Sequence, residues 1–190
     1  ERQVTLDGVT HEMRFPFIIL ATQNPIEQEG TYRLPEAQLD RFIFKIDVQY
    51  PSLQEEIAIL NGQHGRTQLE LVNEITKIVS PADIQHFRSL VQAIIVEPRL
   101  IEYIARIINE TRNNPALYLG ASPRASLALL RASKANAAIK GRDFVTPEDI
   151  KEMASPVLRH RIILTPEKEM EGITEDELID SILKSVEVPR

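Results

Sequence analysis

Hydrophobic and polar positions along the chain obey two regimes. Up to about residue 51 the pattern is short-range, and from residue 52 it repeats every 3.6 residues or so. Residues 3–13 alternate around Asp7-Gly8, a dipeptide suited to the positive φ angles of a two-residue hairpin turn. Such a turn predicts a hairpin with Leu6 opposite Val9, Val4 opposite His11, and Thr5 paired with Thr10 on the other face. The run 15–22 is continuously apolar and ends in Gln23-Asn24-Pro25, as expected of a strand covered on both faces in a parallel sheet. After a loop with Gly30, Pro35 opens a short helix through Arg41, and residues 42–48 read as a second strand.

In the second regime Ser52 caps a helix with Leu53, Ile57 and Leu60 on one face, stopped at Gly62 or Gly65. A short helix is expected around residues 71–79. Ser80-Pro81-Ala82-Asp83 then supplies cap, first-turn proline and acid for a helix that points Ile84, Phe87, Val91 and Ile94 inward. Pro98 precedes the periodic stretch Ile101, Ile104, Ile107 and Ile108. Ser122-Pro123 opens an Ala-rich helix to about Lys140, closed by Gly141, and Thr146-Pro147-Glu148-Asp149 opens the next, with Ile150, Met153, Ala154 and Val157 inward. Thr174-Glu175-Asp176-Glu177 forms a capping box for a last helix carrying Leu178, Ile182 and Leu183. Ile162-Ile163-Leu164 is a candidate short strand. The expected fold class is therefore α/β plus all-α. Residues 1–51 form a region of hairpin, buried strands and short helix, and residues 52–190 form a helical domain.

Composition narrows the chemistry. The chain has 190 residues, 22 Lys+Arg and 28 Asp+Glu, hence a net charge of −6. This balance disfavours a nucleic-acid binder held by phosphate contacts. The absence of Cys rules out disulfides, thiol catalysis and thiolate metal sites, and it fits a reducing compartment. The four His are scattered. Apolar runs fall far short of the roughly 20 residues of a membrane span. The chain begins with Glu and its first five residues already read as ordered structure, which points to a piece of a longer chain.

Three places tie a polar or cationic group to constrained backbone. Asn24 lies just past the C-terminal end of the first apolar strand, where ligands gather in open α/β sheets; an Asn holding the turn before Pro25 is the alternative. Arg41 ends the short helix, and its planar, permanent charge suits a phosphate, although a cation paired locally with Asp40 fits the same pattern. Arg124 stands in the first turn of a helix against the dipole, which suggests an anion nearby; a plain surface Arg is the alternative. Arg159-His160-Arg161 reads as a cation cluster at a helix end.

The block Ala21-Thr22-Gln23-Asn24-Pro25-Ile26-Glu27-Gln28-Glu29-Gly30-Thr31-Tyr32, with Leu34-Pro35-Glu36-Ala37-Gln38-Leu39-Asp40-Arg41-Phe42 after it, resembles the sensor 1 and arginine-finger region of the MoxR family of AAA+ ATPases. Gly120-Ala121-Ser122-Pro123-Arg124-Ala125-Ser126 resembles the sensor 2 helix of the same family. Gly141-Arg142-Asp143-Phe144-Val145-Thr146-Pro147-Glu148-Asp149 and Val157-Leu158-Arg159-His160-Arg161 resemble the family's segments beyond that helix. Arg33 departs from the pattern, where Pro is expected. The resemblance runs in order over nearly the whole chain. It implies that residues 1–51 are the C-terminal part of an AAA+ core and that residues 52–190 are its helical lid.

The same resemblance implies roles. Asn24 would be sensor 1, orienting the attacking water against the γ-phosphate of ATP. Arg41 would be the arginine finger, reaching the nucleotide site of a neighbouring subunit, and Arg124 would be sensor 2, in its own site or the neighbour's. The hairpin matches an insertion before sensor 1 that faces a pore and a client. For the parent protein the resemblance implies ATP and Mg²⁺, a homo-oligomeric ring expected to be a hexamer, a von Willebrand factor A domain partner, a protein client and a cytoplasmic location. Its implied work is chaperone-like assembly or activation of complexes, including metal-cofactor insertion. No Gly-x-x-x-x-Gly-Lys-Ser/Thr run occurs, nor an apolar strand ending in Asp-Glu before Asn24. The chain alone is therefore expected neither to bind ATP tightly nor to hydrolyse it. Rival readings are a non-catalytic helical interaction module, a magnesium-chelatase-like subunit and a DNA-dependent AAA+ motor.

Overall fold

The computed structural model describes residues 3–23, 34–65 and 75–189. In chain order the described elements are β1 (Gln3–Leu6), β2 (Val9–Glu12), α1 (Glu36–Leu39), α2 (Leu53–Gln63), α3 (Pro81–Ala93), α4 (Pro98–Asn113), β3 (Leu117–Leu119), α5 (Pro123–Ile139), α6 (Pro147–Leu158), β4 (Ile163–Leu164), α7 (Pro166–Met170) and α8 (Glu175–Ser185). The chain divides into two compact units, Glu1–Ile19 with Asp47–Phe87, and Leu20–Ile46 with Arg88–Arg190.

In the first unit β1 pairs antiparallel with β2 in the expected register, Leu6 opposite Val9 and Val4 opposite His11. Asp7 (φ 50°) and Gly8 (φ 80°) both take the left-handed region that a primed two-residue turn requires. The Thr5 and Thr10 hydroxyls lie 3.1 Å apart, in hydrogen-bond contact. Helix α2 begins at the predicted Ser52, whose hydroxyl accepts from Glu55 N while the Glu55 carboxylate accepts from Ser52 N at 2.8 Å. Its apolar face is exposed, with Leu53 at 71% and Leu60 at 66%.

Helix α3 starts from the predicted box, with Ser80 N donating to Asp83 at 2.7 Å. Just beyond it Ile94 is buried, whereas Phe87 is half exposed and turns away from the core face expected of it. The helix expected at 71–79 lies outside the described residues through 74, and residues 75–80 carry no regular structure.

The core of the second unit is built from the predicted faces. Ile104, Ile107 and Ile108 of α4, Ile150, Ala154 and Val157 of α6, and Ile179 and Ile182 of α8 belong to one buried cluster with the small residues Ala125, Ala128 and Ala132 of α5. Small side chains let α5 approach its neighbours closely. Ile101, expected on the same face as Ile104, is half exposed. Gly141 (φ 72°) closes α5 in the left-handed conformation. The candidate strand at 163–164 forms, paired antiparallel with β3, which the sequence pattern does not single out. Among the described residues no helix is long and apolar enough to cross a membrane.

The two buried strands expected at 15–22 and 42–48 do not form ladders among the described residues. A continuous apolar run records that both faces need cover, but a strand exists only through neighbours that share its hydrogen bonds. Residues 15–22 instead run without regular structure, with Ile18 and Leu20 exposed. The start of the 42–48 segment finds its partners at the end of α6, where Lys45 N donates to the Pro156 carbonyl at 2.9 Å.

Candidate functional site

Of the three site residues expected from sequence, Asn24 lies outside the described residues. Arg41 and Arg124 are both described, and Asp40 links the backbone beside the first to the side chain of the second.

Asp40 caps the C-terminus of α1, its N–H donating to the Glu36 carbonyl at 2.9 Å. Its carboxylate accepts from Arg161 Nε at 3.0 Å and from the Ser122 hydroxyl, which is 3.0 and 2.9 Å from its two oxygens. Arg124 Nη1 stands 3.6 Å away. Ser122 is also the N-cap of α5, accepting from Arg124 N at 3.1 Å, with Pro123 at the first helical position. The Asp40 carboxylate thus sits at the N-terminus of a 17-residue helix, where the macrodipole favours negative charge. The anion suggested by Arg124 at this helix end is, in this chain, Asp40.

The N-terminus of α5 is held in turn by the end of α4. Thr111 Oγ1 donates to the Ile108 carbonyl at 2.6 Å and accepts from Ala121 N at 3.0 Å, and Arg112 Nε donates to the Ala121 carbonyl at 2.8 Å. Gly120 packs so closely that a Cβ there would lie 2.6 Å from the Thr111 carbonyl oxygen and 2.7 Å from Arg112 Cα. Two residues later the chain turns into the helix that carries Arg124.

The sequence pattern places Arg161 in a helix-end cation cluster, but its side chain is almost fully buried, at 2% exposed. It donates to the Asp40 carboxylate, to the carbonyls of Asp40 and Ile43 at 3.0 Å each, to that of Phe42 at 2.5 Å and to that of Val157. Those five acceptors match the five N–H donors of a guanidinium. Burial lowers the Arg161 pKa and the Asp40 carboxylate opposes that shift. An arginine remains charged through this.

His160 Nε2 lies 3.0 Å from the Phe42 carbonyl and so carries the proton and donates it. Its buried Nδ1 has no hydrogen-bond partner among the described residues. Burial lowers the His160 pKa, as do the Arg161 and Lys45 charges, so the neutral ring is favoured. Two carbonyls left open at the end of α6, those of Pro156 and Val157, are satisfied from outside the helix by Lys45 N and Arg161. Arg159, the third of the trio, pairs instead with Asp176 of α8 at 2.9 Å.

The result is a strap over residues 40–45, fixed to the C-terminal end of α6 and the N-terminal end of α5. Arg41 occupies an exposed position within it. Arg124 is exposed as well, beside the Asp40 carboxylate at the N-terminus of α5. Among the described residues no cluster of three or more His, Asp or Glu is placed to hold a metal ion.

Comparison with known proteins agrees with this architecture. Residues 1–44 match the model of the ATPase family associated with various cellular activities (AAA), and residues 109–182 match that of the AAA lid domain. The protein YeaC of Bacillus subtilis (strain 168) is 41% identical over 189 residues, which are 100% of this chain and 58% of that protein. Chaperone MoxR1 of Mycobacterium tuberculosis is 39% identical over 199 residues, covering 100% of this chain and 52% of that one. A crystal structure of a protein from Cytophaga hutchinsonii superposes with a TM-score of 0.87 at 38% identity, covering 100% of this chain and 59% of that one. The chain thus spans between about half and three fifths of the length of these relatives. Family models in core-then-lid order, joined by whole-chain similarity to MoxR1, assign the chain to the MoxR family of AAA+ ATPases, of which it carries the C-terminal core segment and the helical lid.

Proposed function

We propose that the parent protein is a ring-forming ATPase and that this chain supplies its intersubunit and lid elements, with the boundary between core and lid at residues 51 and 52. The observation that carries this reading is the strap that holds the backbone on both sides of Arg41 while leaving Arg41 itself exposed. A finger that stabilises charge in a neighbour's site has to be rigid at its base and accessible at its tip. In related NTPases such a finger accounts for roughly 10³ to 10⁵ in rate.

In this reading ATP is the substrate, and Mg²⁺ and the phosphate-holding loop amides come from the remainder of the parent protein. Hydrolysis supplies the free energy for remodelling a client. Arg41 presents its guanidinium to the γ-phosphate held by the next subunit. Arg124, whose exposed side chain stands 3.6 Å from Asp40, links the γ-phosphate to the position of the lid, and Asn24 orients water. The ring is a hexamer acting in the cytoplasm with a von Willebrand factor A domain partner. Its work is chaperone-like assembly or activation of protein complexes, metal-cofactor insertion included, and the chain on its own is inactive. The name of MoxR1 as a chaperone supports the remodelling role.

The test is steady-state ATP turnover by the full-length protein, comparing wild type, Arg41→Ala and mixtures of the two. The expected result is a loss of at least about 10³-fold in the variant, with mixed rings falling below the weighted average. Unchanged turnover would make Arg41 a structural cation and refute the intersubunit assignment.

A further inference from the structure

We propose that Asp40 and Arg161 are positioning residues for the Arg41 finger: the buried guanidinium of Arg161 sets where the finger's base lies, and Asp40 locks that guanidinium to the helix carrying Arg124. This rests on the reading of Arg41 as a finger and deepens it.

The bonds of one side chain fall on both sides of residue 41. Arg161 takes the carboxylate and carbonyl of Asp40 before it and the carbonyls of Phe42 and Ile43 after it. Residue 41 is thus bracketed by contacts to a single planar group. All of these partners lie 118 to 121 residues away in sequence, so the lid holds the finger's base in addition to the local bonds from Asp40 N, Arg41 N and Phe42 N to the carbonyls of Glu36, Gln38 and Leu39. Asp40 extends the network to Ser122, the cap of α5, and to Arg124. Lysine cannot reproduce the arrangement, because an ammonium has three donors on a point charge where the guanidinium has five in a fixed plane. A displacement of about 1 Å at a group that acts in a transition state costs on the order of 10²-fold in rate. The substrate-binding contacts of the same enzyme need not change at all.

The experiment uses the full-length ATPase carrying Asp40→Asn, Arg161→Lys, Arg41→Ala, and each of the first two combined with Arg41→Ala. Asp40→Asn changes a carboxylate that is 16% exposed and nearly preserves its shape, so it keeps the test open should Arg161→Lys fail to fold. For the folded single variants, kcat is expected to fall roughly 10- to 100-fold. The affinity for a fluorescent ADP analogue and ring assembly should stay within about twofold of wild type in both variants, and so should the KM for ATP in Arg161→Lys, which keeps the Asp40 carboxylate beside Arg124. In single-turnover assays sensitive enough to follow the Arg41→Ala residual rate, the double variants should be no slower than Arg41→Ala alone, because a residue acting through the finger has nothing left to position. Losses that multiply with that of Arg41→Ala, or a parallel collapse of nucleotide affinity and assembly, would overturn the proposal in favour of a general structural role. Wild-type kcat in Asp40→Asn would also overturn it. Unchanged turnover in Arg41→Ala would instead refute the finger reading itself, and the positioning role with it.

Discussion

Asp149 offers a quantitative test of the lid's electrostatics. Its side chain is fully buried, at 0% exposed, in the first turn of α6. The carboxylate accepts from Arg142 at 2.7 and 2.6 Å, from Thr146 N at 2.9 Å and Thr146 Oγ1 at 3.1 Å, and from Asn136 Nδ2 at 3.1 Å. Burial alone would raise its pKa. The hydrogen bonds from Arg142 and Thr146, together with the Arg142 charge, outweigh that and lower it from 3.8 to about 2. A depressed carboxylate pKa stabilises the fold fully above the unfolded-state value and loses that contribution as pH falls, since the unfolded chain takes up the proton first. With 1.36 kcal/mol per pKa unit, a shift from 3.8 to about 2 corresponds to about 2 kcal/mol. The assay is urea unfolding of the chain and of Asp149→Asn at a series of pH values from 7 to 2. At pH 7 the variant should be less stable by about 3 kcal/mol, the low end for breaking a buried pair, because Arg142 retains some solvent contact. Between pH 5 and pH 2 wild type should lose about 2 kcal/mol more than the variant. Parallel pH dependences for the two proteins would show that Asp149 is not held ionised by its partners, and the reasoning would fail.

Two further outcomes are expected from the geometry around the strap. Gly120→Ala should destabilise the chain by about 3 kcal/mol, at the upper end for overpacking, because the added methyl meets backbone and no movable side-chain tip; a change within experimental error in denaturant melts would contradict the close approach. His160 has a lowered pKa caused first by burial, so its contribution is intact above the unfolded value near 6.5 and declines as pH falls below it. Thermal melts from pH 7.5 to 5 should therefore decline more steeply in wild type than in His160→Gln, and equal slopes would contradict that.

The elements most legible in the sequence are those whose signals are local. Asp7-Gly8 specifies the hairpin turn, and the turn specifies the register, so all the cross-strand pairs are determined together. Ser52, Ser80, Thr146 and Thr174 mark helix starts; the boxes read at Ser80 and Thr174 form, and Ser52, read only as a cap, proves to make one with Glu55 as well. The less legible features depend on long-range partners. Leu117–Leu119 is too short to signal a strand and owes its conformation to residues 163–164. Residues 15–22 and 42–48 declare a need for cover without naming what covers them. Arg161 gives the least local warning, since most of its acceptors lie more than a hundred residues earlier. One signal is present: a cation directly before Ile162-Ile163-Leu164 and shortly after Val157-Leu158 stands where the surrounding pattern points inward, and a buried charge must find partners.

The strap also has a mechanical meaning. Each N–H of the Arg161 guanidinium is engaged, His160 and Lys45 add their own bonds, and the groups they hold belong to residues 40–45 on one side and to α6 on the other. No donor is left idle to take up slack, so sliding one side past the other means breaking several bonds in a desolvated place before any new one can form. Residues 40–45 and the end of α6 therefore travel as one body. A rotation of the lid's helices would carry the base of residue 41 through the same angle, and the compliance needed for such a rotation has to come from chain outside this joint.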